Sequence, residues 1–178
     1  MLQSVRLNKS LGIKMKKIMT IGYEGASIED FLATLVKAKV TVLLDVREIP
    51  VSRRKGFSKK LLADHVASVG IVYRHERDLG SPKEIRHQLH ADGDYTTYFR
   101  SFSKYIESQR PLLEKLAFEL DGNVALVCYE RDPATCHRSV VAKRLELMTG
   151  LTTKHLGVQV GTGDKRARAG AGESFSAA

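Results

Sequence analysis

Three stretches hold most of the residues in this chain whose types and spacing suit polar chemistry. They are Gly22-Tyr23-Glu24-Gly25, then Asp45-Val46-Arg47 continuing through Ser52, Arg53 and Arg54, and finally CYERDPATCHR at 128–138, which contains both cysteines. The third is the densest. Cys136 lies near the predicted start of a helix with His137 and Arg138 beside it, a setting in which the helix dipole and positive charge favour a thiolate. Glu130 adds a carboxylate, and Tyr23 and Glu24 are placed to orient a substrate or transfer protons. Cys136, Glu130, Tyr23 and Glu24 are therefore the candidate catalytic groups. Set against this, cysteine is among the residue types most often buried inertly.

The candidate ligand-binding residues are Gly22, Gly25, Asp45, Arg47, Ser52, Arg53, Arg54, Cys128, His137 and Arg138. Gly22 and Gly25 flank a turn into a helix and would let a ligand approach backbone amides, although such a turn often needs glycine for its own geometry. Asp45 ends an apolar strand, where an unpaired carboxylate costs several kcal/mol, so it needs a partner such as Arg47 or Arg138. The loop VREIPVSRRKGFSKK at 46–60 supplies guanidinium forks suited to phosphate or carboxylate.

Several chemistries are excluded. Neither GxGxxG nor the P-loop pattern occurs. A tyrosine-phosphatase loop needs an arginine separated from its cysteine by five residues, and those places hold Ala134 and Ala142. No metal is expected either. Cys136 and His137 would stand at successive positions of one helix, about 100° apart, and no CxxC or HxxxH pattern is present. No cofactor is implied.

The elements that must position these residues follow from patterning. Residues 17–23, 40–46, 71–73, 123–128 and 152–156 read as strands, the clearest of them apolar throughout, as strands buried on both faces are. Between them lie a helix opened by the capping pattern Ser27 to Asp30, one capped by Ser58, one over 97–109, one begun near Pro111, and one started by Asp132-Pro133 and closed by Gly150. Residues 76–94 read as irregular. The alternation predicts an α/β fold, a mainly parallel sheet of about five strands with helices on both faces. In such a sheet ligands bind beyond the carboxyl ends of the strands, where the three polar stretches fall.

The chain has 178 residues and a net charge of +9. Residues 1–16 carry four basic groups and no acid, the segment Arg47 to Lys60 six basic groups and one acid, and the rest of 17–161 sums close to neutrality. The basicity is thus a terminal arm and one local loop, not a general attraction to nucleic acid. Residues 17–157 are expected to form a single domain, 1–16 a flexible arm and 158–178 a disordered Gly/Ala-rich tail. No apolar run approaches the roughly 20 residues that span a bilayer, no secretory signal is evident, and two cysteines make no disulfide scaffold, so a cytoplasmic setting is expected.

The blocks TIGYEG at 20–25, LLDVREIPVSRRKGFSK at 43–59, GIVYRHERDLGSP at 70–82, ALVCYERDPATCHR at 125–138 and TTKHL at 152–156 together resemble the family called domain of unknown function 488. That resemblance implies an α/β sandwich in which the blocks share one site, and it supplies no reaction. Two functions are open. One is an enzyme or ligand-binding protein for an anionic substrate, phosphorylated or nucleic-acid-derived, at the sheet's carboxyl rim. The other is a non-catalytic nucleic-acid-binding module using the loop 47–60.

Overall fold

The computed structural model describes residues 12–163. Five strands form one all-parallel sheet: β1 (Met15–Gly22), β2 (Val42–Asp45), β3 (Val72–His75), β4 (Gly122–Cys128) and β5 (Thr153–Leu156), in the order β3-β2-β4-β1-β5. Six helices surround it: α1 (Ile28–Lys37), α2 (Lys59–Ser68), α3 (Lys83–Asp92), α4 (Tyr95–Ser108), α5 (Arg110–Glu119) and α6 (Arg138–Thr149). None of the helices among the described residues is long and apolar enough to cross a membrane.

The strands are apolar on both faces because both faces are covered. Along β4, Ala125 and Val127 point to a core with Phe31 and Leu35 of α1 and Leu62 and Val66 of α2. Val124, Leu126 and Cys128 point the other way, to Phe102 and Ile106 of α4, Leu113 and Leu116 of α5, and Val141 and Leu145 of α6. The helices after β1 and β2 therefore cover one face and the helix after β4, which lies between those strands, covers the other. The chain diverges at the carboxyl end of β4, which opens a crevice there.

Register aligns the ends that matter. Gly22 pairs with Cys128 and Asp45 with Val127, so Tyr23, Arg47 and Tyr129 follow at one level. A buried ion pair ties that edge together. Asp45 accepts hydrogen bonds from the Arg47 backbone N–H at 3.1 Å, Arg47 Nε at 2.8 Å and Nη2 at 2.5 Å, and the Tyr73 hydroxyl at 2.6 Å. Arg47 Nη1 donates to the Tyr23 hydroxyl and the Phe57 carbonyl, each at 2.8 Å. Burial works against the Arg47 charge, but the bonds and charge of Asp45 outweigh it and hold the guanidinium protonated. Burial, then the bond to Asp45, push the Tyr73 hydroxyl's pKa up.

The structure differs from the sequence reading in several local respects. Residues 83–92, read as irregular, form α3, between Pro82 and a left-handed Gly93; no residue of it is fully buried, and its only large apolar side chains are Ile85, packed against the core, and Leu89 four residues on. Ser58 stands before α2, but its hydroxyl turns back to the Ser52 backbone instead of capping the helix. Asp132 caps only a 3-10 turn over Pro133–Thr135; Cys136 is extended, and α6 begins at Arg138. At the chain's ends, Met15 is buried as the first residue of β1, and residues 159–163 fold back onto α1. Residues 1–11 of the expected arm and 164–178 of the expected tail lie outside the described residues.

Asp30 holds that last segment, accepting from the backbone N–H of Gly161 at 3.0 Å and of Gly163 at 2.8 Å. Ser27 accepts the Asp30 N–H, so the Asp30 carboxylate is left for the distant chain. The Gly163 and Gly161 bonds lower the Asp30 pKa. A depressed carboxylate stabilises the fold above its unfolded pKa of about 3.9, and that contribution disappears as pH falls through the lower folded value. Protection of the Gly161 and Gly163 amides, measured as exchange relative to the intrinsic rate at each pH, should thus persist above that range and be lost below it, and Asp30→Asn should lower it at neutral pH; unchanged protection would show that the carboxylate does not hold the segment. For the ion pair, Asp45→Asn leaves a buried cation unpaired and should cost about 3–5 kcal/mol in urea unfolding. Replacing both partners, as Asp45→Leu with Arg47→Met, should cost less than that single change.

Candidate functional site

The crevice at the carboxyl ends of β1, β2 and β4 is a cleft of about 920 Å³. Its floor contains Cys128, Glu130 and His137; one side is the loop Val51 to Lys55, and the other is formed by Arg86, Leu89 and His90 of α3 with Tyr95 and Tyr98 of α4. Tyr23 and Tyr129 complete the wall, their rings edge to face at 5.4 Å.

The floor depends on how the chain leaves β4. The loop after Cys128 crosses directly over Gly22, where a Cβ would meet the Glu130 carbonyl oxygen at 1.8 Å. Only glycine fits, and it serves packing between β1 and that loop. Gly25 has φ +76, a left-handed turn residue with nothing near its missing side chain. Glu24 accepts the Arg131 N–H at 3.0 Å and pins the same loop from outside. Arg138 pins it from inside, with Nη1 donating to the Glu130 carbonyl at 2.6 Å and Nη2 to the Arg131 carbonyl at 3.1 Å. That guanidinium is 1% exposed, and among the described residues no carboxylate forms a salt bridge with it.

The break before α6 decides what reaches the floor. Had the helix run unbroken from Pro133, Cys136 and His137 would diverge by about 100°. Because Cys136 is extended, both side chains converge instead: one donor atom each from Cys128, Glu130, Cys136 and His137 lies within 4.8 Å of every other. Extension at Cys136 thus gathers Cys136 and His137 into one cluster of metal-ligand type, against the expectation that successive helix positions would keep them apart. Cys128 Sγ donates to Glu130 Oε2 at 3.1 Å and lies 3.7 Å from His137 Nδ1. His137 Nε2 donates to the Val46 carbonyl at 2.8 Å, which fixes the proton on Nε2 and turns Nδ1 towards the sulfur.

Burial, with Cys128 adding to it, pushes the Cys136 thiol up well above its ordinary value, so the sulfur stays protonated near neutral pH unless a cation joins it. The expected help from the helix start and Arg138 is outweighed. For Glu130, burial is opposed and exceeded by hydrogen bonds from Cys136, its own backbone and Cys128, which lower its pKa. The donor set, two sulfurs, an imidazole nitrogen and a carboxylate, suits either proton-transfer chemistry or a soft-to-borderline metal ion.

Among the residues singled out by sequence, Tyr23, Arg47, Ser52, Arg53, Arg54, Cys128, Glu130 and His137 line the cleft. Gly22, Asp45, Cys136 and Arg138 are buried and do not line it, and Glu24 and Gly25 are exposed outside it. Arg47 faces the cleft but is 5% exposed and bound to Asp45, Tyr23 and Phe57, so little of it is left for a ligand. Arg86, His90, Tyr95 and Tyr98 were missed by sequence reasoning. They come from α3 and the start of α4, and the signal that could have found them is Pro82 and Gly93 bracketing ten residues, with Asp94 capping the next helix through Thr96 and Thr97.

A family model described as domain of unknown function DUF488 matches residues 27–145, which include the loop 47–60 and the whole 128–138 segment. No curated protein and no solved structure matches the chain. The chain belongs to the DUF488 family of domains.

Proposed function

We propose that the cleft binds a small anionic ligand, phosphorylated or nucleic-acid-derived, and that the Cys128, Glu130, His137 floor is where it is acted on. The observation that carries this reading is that unpaired cations stand on the lip of the same cleft whose floor holds the reactive groups. Arg53 and Lys55 make no hydrogen bond or ion pair among the described residues, and Arg54 gives only Nη1, to the Ala26 carbonyl. The Arg54 backbone N–H bonds the Ser52 hydroxyl and the Lys59 N–H bonds the Pro50 carbonyl, so the loop offering these charges is itself ordered. A preordered cationic loop binds phosphate with less loss of side-chain and backbone freedom.

Size and lining fit a nucleotide-sized ligand. Small-molecule sites occupy roughly 300–1,000 Å³, and Tyr95 and Tyr129, 44% and 46% exposed, present ring surface against which a base can stack. The cleft also holds Glu48, paired with Arg86, and Glu130. Carboxylates so close to the cations disfavour a long phosphate backbone laid across this face, which weighs against the non-catalytic module.

Calorimetric titration with adenosine monophosphate, in competition with inorganic phosphate, tests the reading. Wild type should bind one equivalent, and Arg53→Ala with Lys55→Ala should weaken binding by about 2 kcal/mol, or roughly thirtyfold, without altering the unfolding midpoint. Absence of binding, or affinity unchanged in the double variant, contradicts the reading. Tighter binding of a single-stranded oligonucleotide, with a salt slope reporting several phosphates, would support the module instead.

A further inference from the structure

We propose that Cys128, Glu130, Cys136 and His137 form a tetrahedral site for one divalent transition-metal ion, zinc by ligand type. The inference stands on the geometry of these four groups and does not depend on the anion reading.

Four donors of the types zinc prefers lie within 4.8 Å of one another, and three of the residues are buried. Across a tetrahedral zinc with bonds of about 2.0–2.3 Å, neighbouring ligand atoms are about 3.5 Å apart. The measured separations of 3.1 Å from Cys128 Sγ to the Glu130 carboxylate and 3.7 Å to His137 Nδ1 bracket that value. The widest separation in the cluster, at most 4.8 Å, must close to receive the ion.

The surroundings are those of a metal site. His137 gives its Nε2–H to the Val46 carbonyl, the outer bond that in metal-bound histidines fixes the ring and directs the other nitrogen to the ion. The backbone that carries the ligands is held rigidly: Cys128 ends the strand paired with β1, and the Glu130 and Arg131 carbonyls are clamped by Arg138. Charge also balances. Two thiolates and a carboxylate around a dication leave one negative charge, and Arg138, buried without a carboxylate partner among the described residues, supplies one positive charge.

A purely hydrogen-bonded cluster explains these contacts less well. Thiols are weak donors, and they would be the main side-chain compensation for a half-buried carboxylate. Coordination satisfies all four groups: each thiol releases its proton to solvent, Glu130 enters as the anion, and His137 offers the Nδ1 lone pair while keeping its Nε2 proton on Val46. Glu130 and His137 face the cleft and Cys136 lies behind it, so the ion would sit in the floor.

The test is a cobalt(II) titration of the metal-free full chain kept reduced. Wild type should take up one equivalent, develop thiolate-to-cobalt charge transfer with the visible bands of a tetrahedral site, and lose both on adding zinc. Glu130→Gln should weaken cobalt affinity at least about tenfold, and Cys128→Ser with Cys136→Ser should abolish the charge transfer. A folded, reduced wild type that shows no such spectrum overturns the proposal, and this arm needs no variant to fold. So does a folded double cysteine variant that keeps the spectrum.

Discussion

The buried Asp45–Arg47 pair is the contact on which the cleft depends. A carboxylate at the end of an all-apolar strand is tolerable only if each of its oxygens is satisfied, and here Arg47 and Tyr73 do so. Arg47 then spends its remaining reach on Tyr23, beyond β1, and on the Phe57 carbonyl, at the end of the basic loop. One ion pair thereby sets the relative positions of β1, β2, β3 and the 50–58 loop. Phe57, stacked on Tyr23 at 4.3 Å, seals the same junction with apolar surface. The cations of the lip are presented by a loop that the sheet itself anchors.

The second determinant is a failure of helix continuity. Asp132 and Pro133 begin a turn that could have run into α6, but extension at Cys136 interrupts it, and His137 and Arg138 restart the helix. The interruption gives three consecutive residues three separate tasks. Cys136 points to Cys128, His137 reaches the Val46 carbonyl just beyond β2, and Arg138 turns back to the loop over Gly22. An uninterrupted helix would spread these side chains around its circumference and no four-residue cluster would form.

Much of this was legible in the sequence because it follows from periodicity and from strand ends. Apolar runs such as Asn123 to Cys128 announced strands covered on both sides, and the polar stretches fell where a parallel sheet leaves its crevice. The need of Asp45 for a cationic partner was also readable from its position. What the sequence hid was tertiary or conformational. Helix α3 buries no residue fully and offers only Ile85 and Leu89 at helical spacing, a short signal beside the longer apolar faces of the other helices. The extended Cys136 could not be told from a helical one, since Asp-Pro starts a 3-10 turn and an α-helix equally well. Arg47 and Arg138, which look from sequence like anion ligands, are bound to protein oxygens, whereas Arg53 and Lys55 find no such partner among the described residues.

In the proposed function this cleft, with its cationic lip and its Cys/Glu/His floor, holds the anion. Crystals soaked in tungstate, a phosphate mimic located by its anomalous scattering, test that claim most directly. A peak is expected inside the cleft, within contact of Arg53, Arg54 or Lys55. Tungstate bound elsewhere on the protein while the cleft stays empty would contradict it.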